Sequence, residues 1–222
     1  MTKEELLEHA YVISIDDNRL DRFYDNMKKI NFHNIKHVIG HLNFSCLAKN
    51  INYTTITLIR HAKINKYPHI TIFEDDACPV KDFDTKFKIA LDNFPNNPNV
   101  VSFGYSHCKE FRNKGKYFDN FKNDFFKNMI YINKKYIRSF WGAHSYIIYE
   151  QDYDRYIHFL SKFDPKKSNF DTDRCMHLNN GNFYTLRIPI FVQKNYNENN
   201  VHKDEGAKTL NKLFKDYGIE CL

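Results

Sequence analysis

HITIFEDDACPV, spanning His69 to Val80, runs an apolar, β-branched segment straight into three acids and then a turn. An unbroken apolar run of this length suits a strand buried on both faces of a sheet. YVISI (Tyr11–Ile15) shows the same pattern, IKHVIG gives a further strand closed by Gly40, and NVVSFGY another ending near Gly104. Helix-like stretches lie between them. DDNRLDRFYDNMKKI offers Asp17 or Asn18 as N-cap and places Leu20, Phe23, Tyr24, Met27 and Ile30 at helical spacing. TTITLIRHAKINKYP fits a helix stopped by Pro68, and VKDFDTKFKIALDNF fits the next one. Strand and helix in alternation, with short links, predict an α/β fold with a mostly parallel central sheet flanked by helices. Ligands of such sheets collect at the carboxyl ends of the strands. Asp16 and Asp17 follow the first strand, and Glu74, Asp75 and Asp76 follow the third, so both groups fall on that edge.

The second half is less regular. DNFKNDFFKNMIYINKKYIRSF is aromatic and basic, and suits either strands or an inserted lobe. A strand from about Ala143 to Tyr149 precedes a helix through Leu160. FYTLRIPIFVQ reads as a late strand broken by Pro189, and therefore at an edge. EGAKTLNKLFKDYGI reads as a closing amphipathic helix.

The 222 residues suffice for one sizeable domain, with residues 1–105 as a ligand-binding half and 106–222 as an acceptor-side half. Apolar content of 42% and aromatic content of 16% support a packed core. A net charge of +6 is a mild bias that suits an anionic small ligand. Scattered Lys and Arg, without an arginine-rich arm or zinc-finger spacing, argue against nucleic acid as the partner. Five cysteines, odd in number and never in CxxC, argue against a disulfide framework and a four-ligand zinc site, and fit a reducing compartment. No segment approaches the roughly 20 apolar residues of a membrane span, and the charged N-terminus does not read as a signal peptide. The expectation is a soluble, cytoplasmic protein.

Adjacent ionised carboxylates at a sheet end repel each other and are costly to desolvate. A divalent cation relieves both penalties, and Mg2+ or Mn2+ takes one or two carboxylates together with substrate phosphates. Glu74, Asp75 and Asp76 are therefore candidate metal ligands, against the alternative of a solvated turn. His202, in a polar loop, could close such a site. An aspartyl-phosphate mechanism needs a second Asp two residues after the nucleophile. Counting from Asp75 that position is Ala77, which argues against it. Asp171 and Asp173 could supply a catalytic base or merely cap a helix. Arg19 and Arg22, one helical turn apart, could reach a phosphate. Trp141 and Tyr146 could stack on a sugar or base, although core packing suits Tyr146 better.

YVISIDDNRLDRF, ITIFEDDACPV, WGAHSYIIYEQDYDRYI, FDTDRCM and IPIFVQ, in that order, resemble glycosyltransferase family 25, which includes lipooligosaccharide-biosynthesis and procollagen galactosyltransferases. The resemblance implies a GT-A type, Rossmann-like nucleotide-sugar fold, a UDP-sugar donor, Mn2+ or Mg2+, and inverting transfer to a glycan or protein hydroxyl. Carried over by position, it places Arg19 and Arg22 on the donor, beside the further donor candidates Ser14 and Asp16, and Glu74 and Asp76 on the metal, with Asp75 between them as a further candidate ligand. Trp141, Gly142, Tyr146 and Gln193 fall on the sugar or acceptor, and Asp171 or Asp173 on the family's later acidic residue, a candidate catalytic base. The family's Ser-His pair ahead of the acids is absent here, where the chain reads NINYTTITLIRHAK. A non-catalytic glycan- or partner-binding descendant of the same fold, and metal-dependent nucleotide hydrolysis, stand as alternatives. The sugar, the acceptor and the oligomeric state are not legible in the chain.

Overall fold

A computed structural model describes residues 1–105, 107–108, 131–133, 140–141, 144–162, 164, 182–193, 214–216 and 218–222. The chain opens with α1 (Lys3–Glu8), held by a capping box between Thr2 and Glu5. Then follow β1 (Ala10–Ser14), α2 (Asp17–Lys29), β2 (Lys36–Ile39), α3 (Leu47–Ile64) and β3 (His69–Glu74). After the acids come β4 (Ala77–Pro79), α4 (Phe83–Asp92), β5 (Val100–Ser102), β6 (His107–Cys108), β7 (Tyr131–Asn133) and β8 (Phe140–Trp141). The described elements end with β9 (Ser145–Tyr149), α5 (Tyr153–Ser161), β10 (Phe183–Leu186) and β11 (Phe191–Gln193).

The fold is α/β, with a central sheet ordered β2-β1-β3-β9-β5-β10-β7 among the described residues. β2, β1 and β3 pair in parallel, as do β5 and β10. β9 is inserted antiparallel between β3 and β5, and β7 closes against β10 antiparallel. The sheet is thus mixed, with five strands in one direction and two in the other. The expectation of a mostly parallel sheet holds for strand direction but misses the insertion of β9 at the centre.

The order β2-β1-β3 positions the site. From β1 the chain crosses through α2 to β2 on one side, then returns through α3 to β3 on the other. Right-handed crossovers in opposite directions put the two helices on opposite faces. Strand alternation sorts the core accordingly. Val12 and Phe73 pack with Leu20, Phe23 and Met27 of α2, whereas Tyr11, Ile13, Ile70 and Ile72 pack with Ile56, Ile59 and Ala62 of α3. The crevice between the carboxyl ends of β1 and β3 is the switch point, where ligands of open α/β sheets bind.

Three local readings are corrected. Asp16, one residue before the expected caps, accepts from the Arg19 backbone N–H and caps α2. α3 begins at Leu47 rather than within TTITL. FYTLRIPIFVQ is two strands, not one at an edge. β10 lies inside the central sheet between β5 and β7, and β11 pairs with β4 in a separate two-stranded sheet. Pro189 sits in the break, where it removes no ladder bond. Gly104 marks the crossing of these layers: a Cβ there would lie 2.1 Å from the Phe191 carbonyl oxygen and 2.4 Å from His144 Nε2.

The cysteine reading also changes. Cys78 of β4 and Cys221 form a disulfide, with Cα atoms 5.7 Å apart. An odd cysteine count excludes a fully paired set but not one bridge, and Cys46 is free. Among the described residues no helix is long and apolar enough to cross a membrane.

Candidate functional site

Side-chain alternation brings the first components of the site together. Ser14 shares the α2-facing side of β1 with Val12, and Asp75, two residues after Phe73, emerges on the same side beyond β3. The Ser14 hydroxyl donates to Asp75 Oδ2 at 2.6 Å and accepts from the Asp16 backbone N–H at 3.1 Å. Arg19, in the first turn of α2, lies over the same crevice. Its guanidinium pairs with Asp75 Oδ1 and lies 3.4 Å from Asp76 Oδ2. From the other direction Gln193, in register with Ala77 across the small sheet, donates its side-chain amide to Asp76 Oδ2 at 2.8 Å.

Asp75 and Asp76 are only 6% and 7% exposed, so these are not carboxylates of a solvated turn. Burial pushes the Asp75 carboxyl above its ordinary range, and the Ser14 hydrogen bond and the Arg19 charge oppose that shift. Arg19 Nε is buried with no hydrogen-bond partner among the described residues. That leaves Arg19 a second donor in addition to the one on Asp75.

Ser14, Asp16, Arg19, Asp75, Asp76 and Gln193 therefore converge. Glu74 ends β3 opposite Ile13, and alternation puts it on the Ile72 side, facing away from Arg19. Arg22 lies exposed on α2 beyond Arg19. Tyr146 is buried, stacked on Tyr156 in the α3-side core. The Trp141 backbone pairs with His107 in a two-stranded ribbon. Asp171, Asp173, Gly142 and His202 lie outside the described residues.

Asn52 and Thr55, one turn apart on α3, were not singled out in the sequence. Both are buried, and their polar side-chain atoms have no hydrogen-bond partner among the described residues. Their signal was two polar residues interrupting the sheet-facing stripe that Ile56 and Ile59 continue. α3 starts at the end of β2, so they lie toward the crevice end of that helix, in the segment that lacks the Ser-His pair.

Among the described residues no three of His, Cys, Asp and Glu converge as a metal cluster. The donor set of Asp75 and Asp76 is nonetheless all oxygen and doubly anionic, the chemistry that suits Mg2+ or Mn2+ when phosphates and waters complete the shell. Arg19 now provides the positive charge between them. No family model matches the chain, and no curated protein matches it.

Proposed function

We propose that the protein is a metal-dependent glycosyltransferase with a GT-A type fold, moving a sugar from a UDP-sugar to a hydroxyl of a glycan or protein. The observation that carries this reading is the pair of buried acids, Asp75 and Asp76, at the β1–β3 switch point, framed by Arg19 and Gln193. A buried carboxylate pair is a poor structural device, because its desolvation outweighs the gain unless something cationic is held there. Asp75 and Asp76 would hold Mn2+ or Mg2+, which when bound neutralises charge on the departing diphosphate.

In this reading the remaining roles belong to the chain itself. Arg19 exchanges its contacts with the acids for contacts with a donor phosphate, using the fork geometry of its guanidinium. Ser14 orients Asp75, and Gln193 orients Asp76. Asp171 or Asp173 takes the proton from the acceptor hydroxyl.

Titrating the protein with a panel of UDP-sugars in the presence of Mn2+ tests the proposal. One donor should bind and be turned over, and Asp76→Asn should reduce turnover by at least about 100-fold through loss of charge stabilisation. If no UDP-sugar binds, or Asp76→Asn acts like the wild type, the proposal fails. The contact of Arg19 with both acids favours one second reading, a non-catalytic glycan-binding module in which that network is purely structural. Donor binding without turnover would identify it.

A further inference from the structure

Residues 26–73 contain no Asp or Glu but carry seven Lys and Arg. The same segment holds six of the nine large apolar side chains that are exposed among the described residues. Four cluster where β2 turns into α3, namely Ile39, Leu42, Phe44 and Leu47, at 73, 66, 39 and 64% exposure. Single exposed apolar residues are unremarkable, but a group of them without acids calls for an explanation.

The group is held in shape. Phe44 exchanges two backbone hydrogen bonds with the Asn50 side chain, at 2.9 and 2.8 Å, which fold the loop onto the first turns of α3. The Tyr53 ring packs against His41 and Phe44, with centroids 4.7 and 5.8 Å apart. From Tyr53 the outward stripe of α3 continues through Arg60 to Ile64 and also carries Lys49. Among the described residues nearby acids are few: Asp154 of α5 is paired with Lys63 at 2.5 Å, Asp16 caps α2, and Glu74 ends β3 on the α3 side.

We propose that the β2–α3 face is a docking surface for an anionic lipid bilayer, with Leu42 and Phe44 entering the headgroup boundary and Lys49 and Arg60 meeting the lipid charge. Exposed aliphatic and aromatic groups backed by cations, on a segment that itself carries no carboxylate, fit that partner. A protein partner of ordinary composition would leave the cations unmatched, and a nucleic acid would not reward the aliphatic groups. Because β2 ends beside β1, docking would bring the crevice holding Asp75 and Asp76 close to the membrane plane. The inference does not depend on the proposed chemistry.

Co-sedimentation of the full chain with vesicles tests it, using phosphatidylcholine alone and phosphatidylcholine mixed with phosphatidylglycerol. The protein should pellet with the anionic vesicles, and raised salt should weaken the association. Leu42→Ser with Phe44→Ser should weaken it at least about tenfold, and Lys49→Ala about fivefold. Ile89→Ser, on the exposed side of α4 across the sheet, should change nothing, and Asp76→Asn should still bind. Because the substituted side chains are exposed, unchanged circular dichroism and Tm will separate lost docking from lost folding. Equal pelleting with both vesicle types, or none with either, overturns the proposal. So does retained binding by the Leu42/Phe44 variant. Light scattering that shows a dimer dissolved by that variant, or salt-sensitive binding to single-stranded RNA in place of vesicles, overturns it as well.

Discussion

Ser14 and Asp75 show how one hydrogen bond sets the state of a buried acid. Burial raises the Asp75 carboxyl above its ordinary 3.8, and the Ser14 hydroxyl, bonded at 2.6 Å, lowers it again. With the net shift upward, the folded chain takes up this proton more readily than the unfolded one. The contribution of Asp75 to stability is therefore largest at acidic pH and declines as pH rises from about 4 through the raised value. The Ser14 bond acts in the opposite sense, since it stabilises the carboxylate more than the acid. Ser14→Ala should thus cost about 1.5–3 kcal/mol while Asp75 is charged and about 1 kcal/mol once it is protonated. Urea unfolding at pH 7 and at pH 4 checks this, and an equal loss at both would show that the bond does not discriminate between the two forms. The placement of Asp75 at the carboxyl edge of the sheet was legible in the chain, because the acids follow an apolar strand directly, but its pairing with Ser14 was not. Nor was the contact of Gln193 with Asp76. It joins residues 117 positions apart, and no local periodicity reports a pairing between two short strands.

At the scale of elements, the junction of α1 with β3 adds polar contacts to the burial of Leu6 and Leu7 in the core. Thr71 donates its hydroxyl to the Leu6 carbonyl at 2.6 Å, and the His69 ring donates Nε2–H to the Glu5 carbonyl at 2.8 Å. Burial lowers the His69 pKa below 6.5, and the backbone acceptor only partly offsets it. His9, stacked on Tyr67 at 3.7 Å, is lowered by burial too. A depressed histidine contributes its full stability above pH 6.5 and loses it as pH falls toward the folded pKa. The protein should therefore weaken below pH 6.5, with amides of α1 losing hydrogen-exchange protection first. His69→Gln should flatten that dependence, and an unchanged pH slope in the variant would remove His69 as its source. Elements also mark where sequence reading stops. β1, β2, β3, β5, α2, α4 and α5 follow from apolar runs, periodicity and flanking breakers. The first turns of α3 do not, because NINYTTIT is rich in residues that favour strands. Nor does the direction of β9, since an apolar strand reads alike whether its neighbours are parallel or antiparallel.

For the whole molecule, the C-terminal tail is the long-range constraint. The Lys81 N–H donates to the Glu220 carbonyl and the Leu222 N–H to the Pro79 carbonyl, each at 2.8 Å, while Ile219 is buried. Two further links reinforce this strip, a Lys81–Glu220 ion pair at 2.5 Å and the Cys78–Cys221 disulfide. They differ greatly in weight. Exposed ion pairs of long side chains contribute little once screening and side-chain entropy are counted. A disulfide that closes a 143-residue separation restricts the unfolded chain strongly, and such bonds typically add about 2–4 kcal/mol. For a chain of this size that corresponds to a fall in Tm of about 5–15 °C when the bond is lost. Reduction, or Cys221→Ser without reductant, should produce that fall, whereas Cys46→Ser and Glu220→Gln should leave Tm nearly unchanged. Tm insensitive to both reductant and Cys221→Ser would mean that the tail is held by its backbone bonds alone. β4 begins directly after Asp76 and pairs with the strand carrying Gln193. Loss of the disulfide should therefore also loosen the Gln193–Asp76 contact, visible as faster exchange at residues 77–80 and 191–193. Comparable exchange in the reduced and oxidised protein would confine the bond to a global effect.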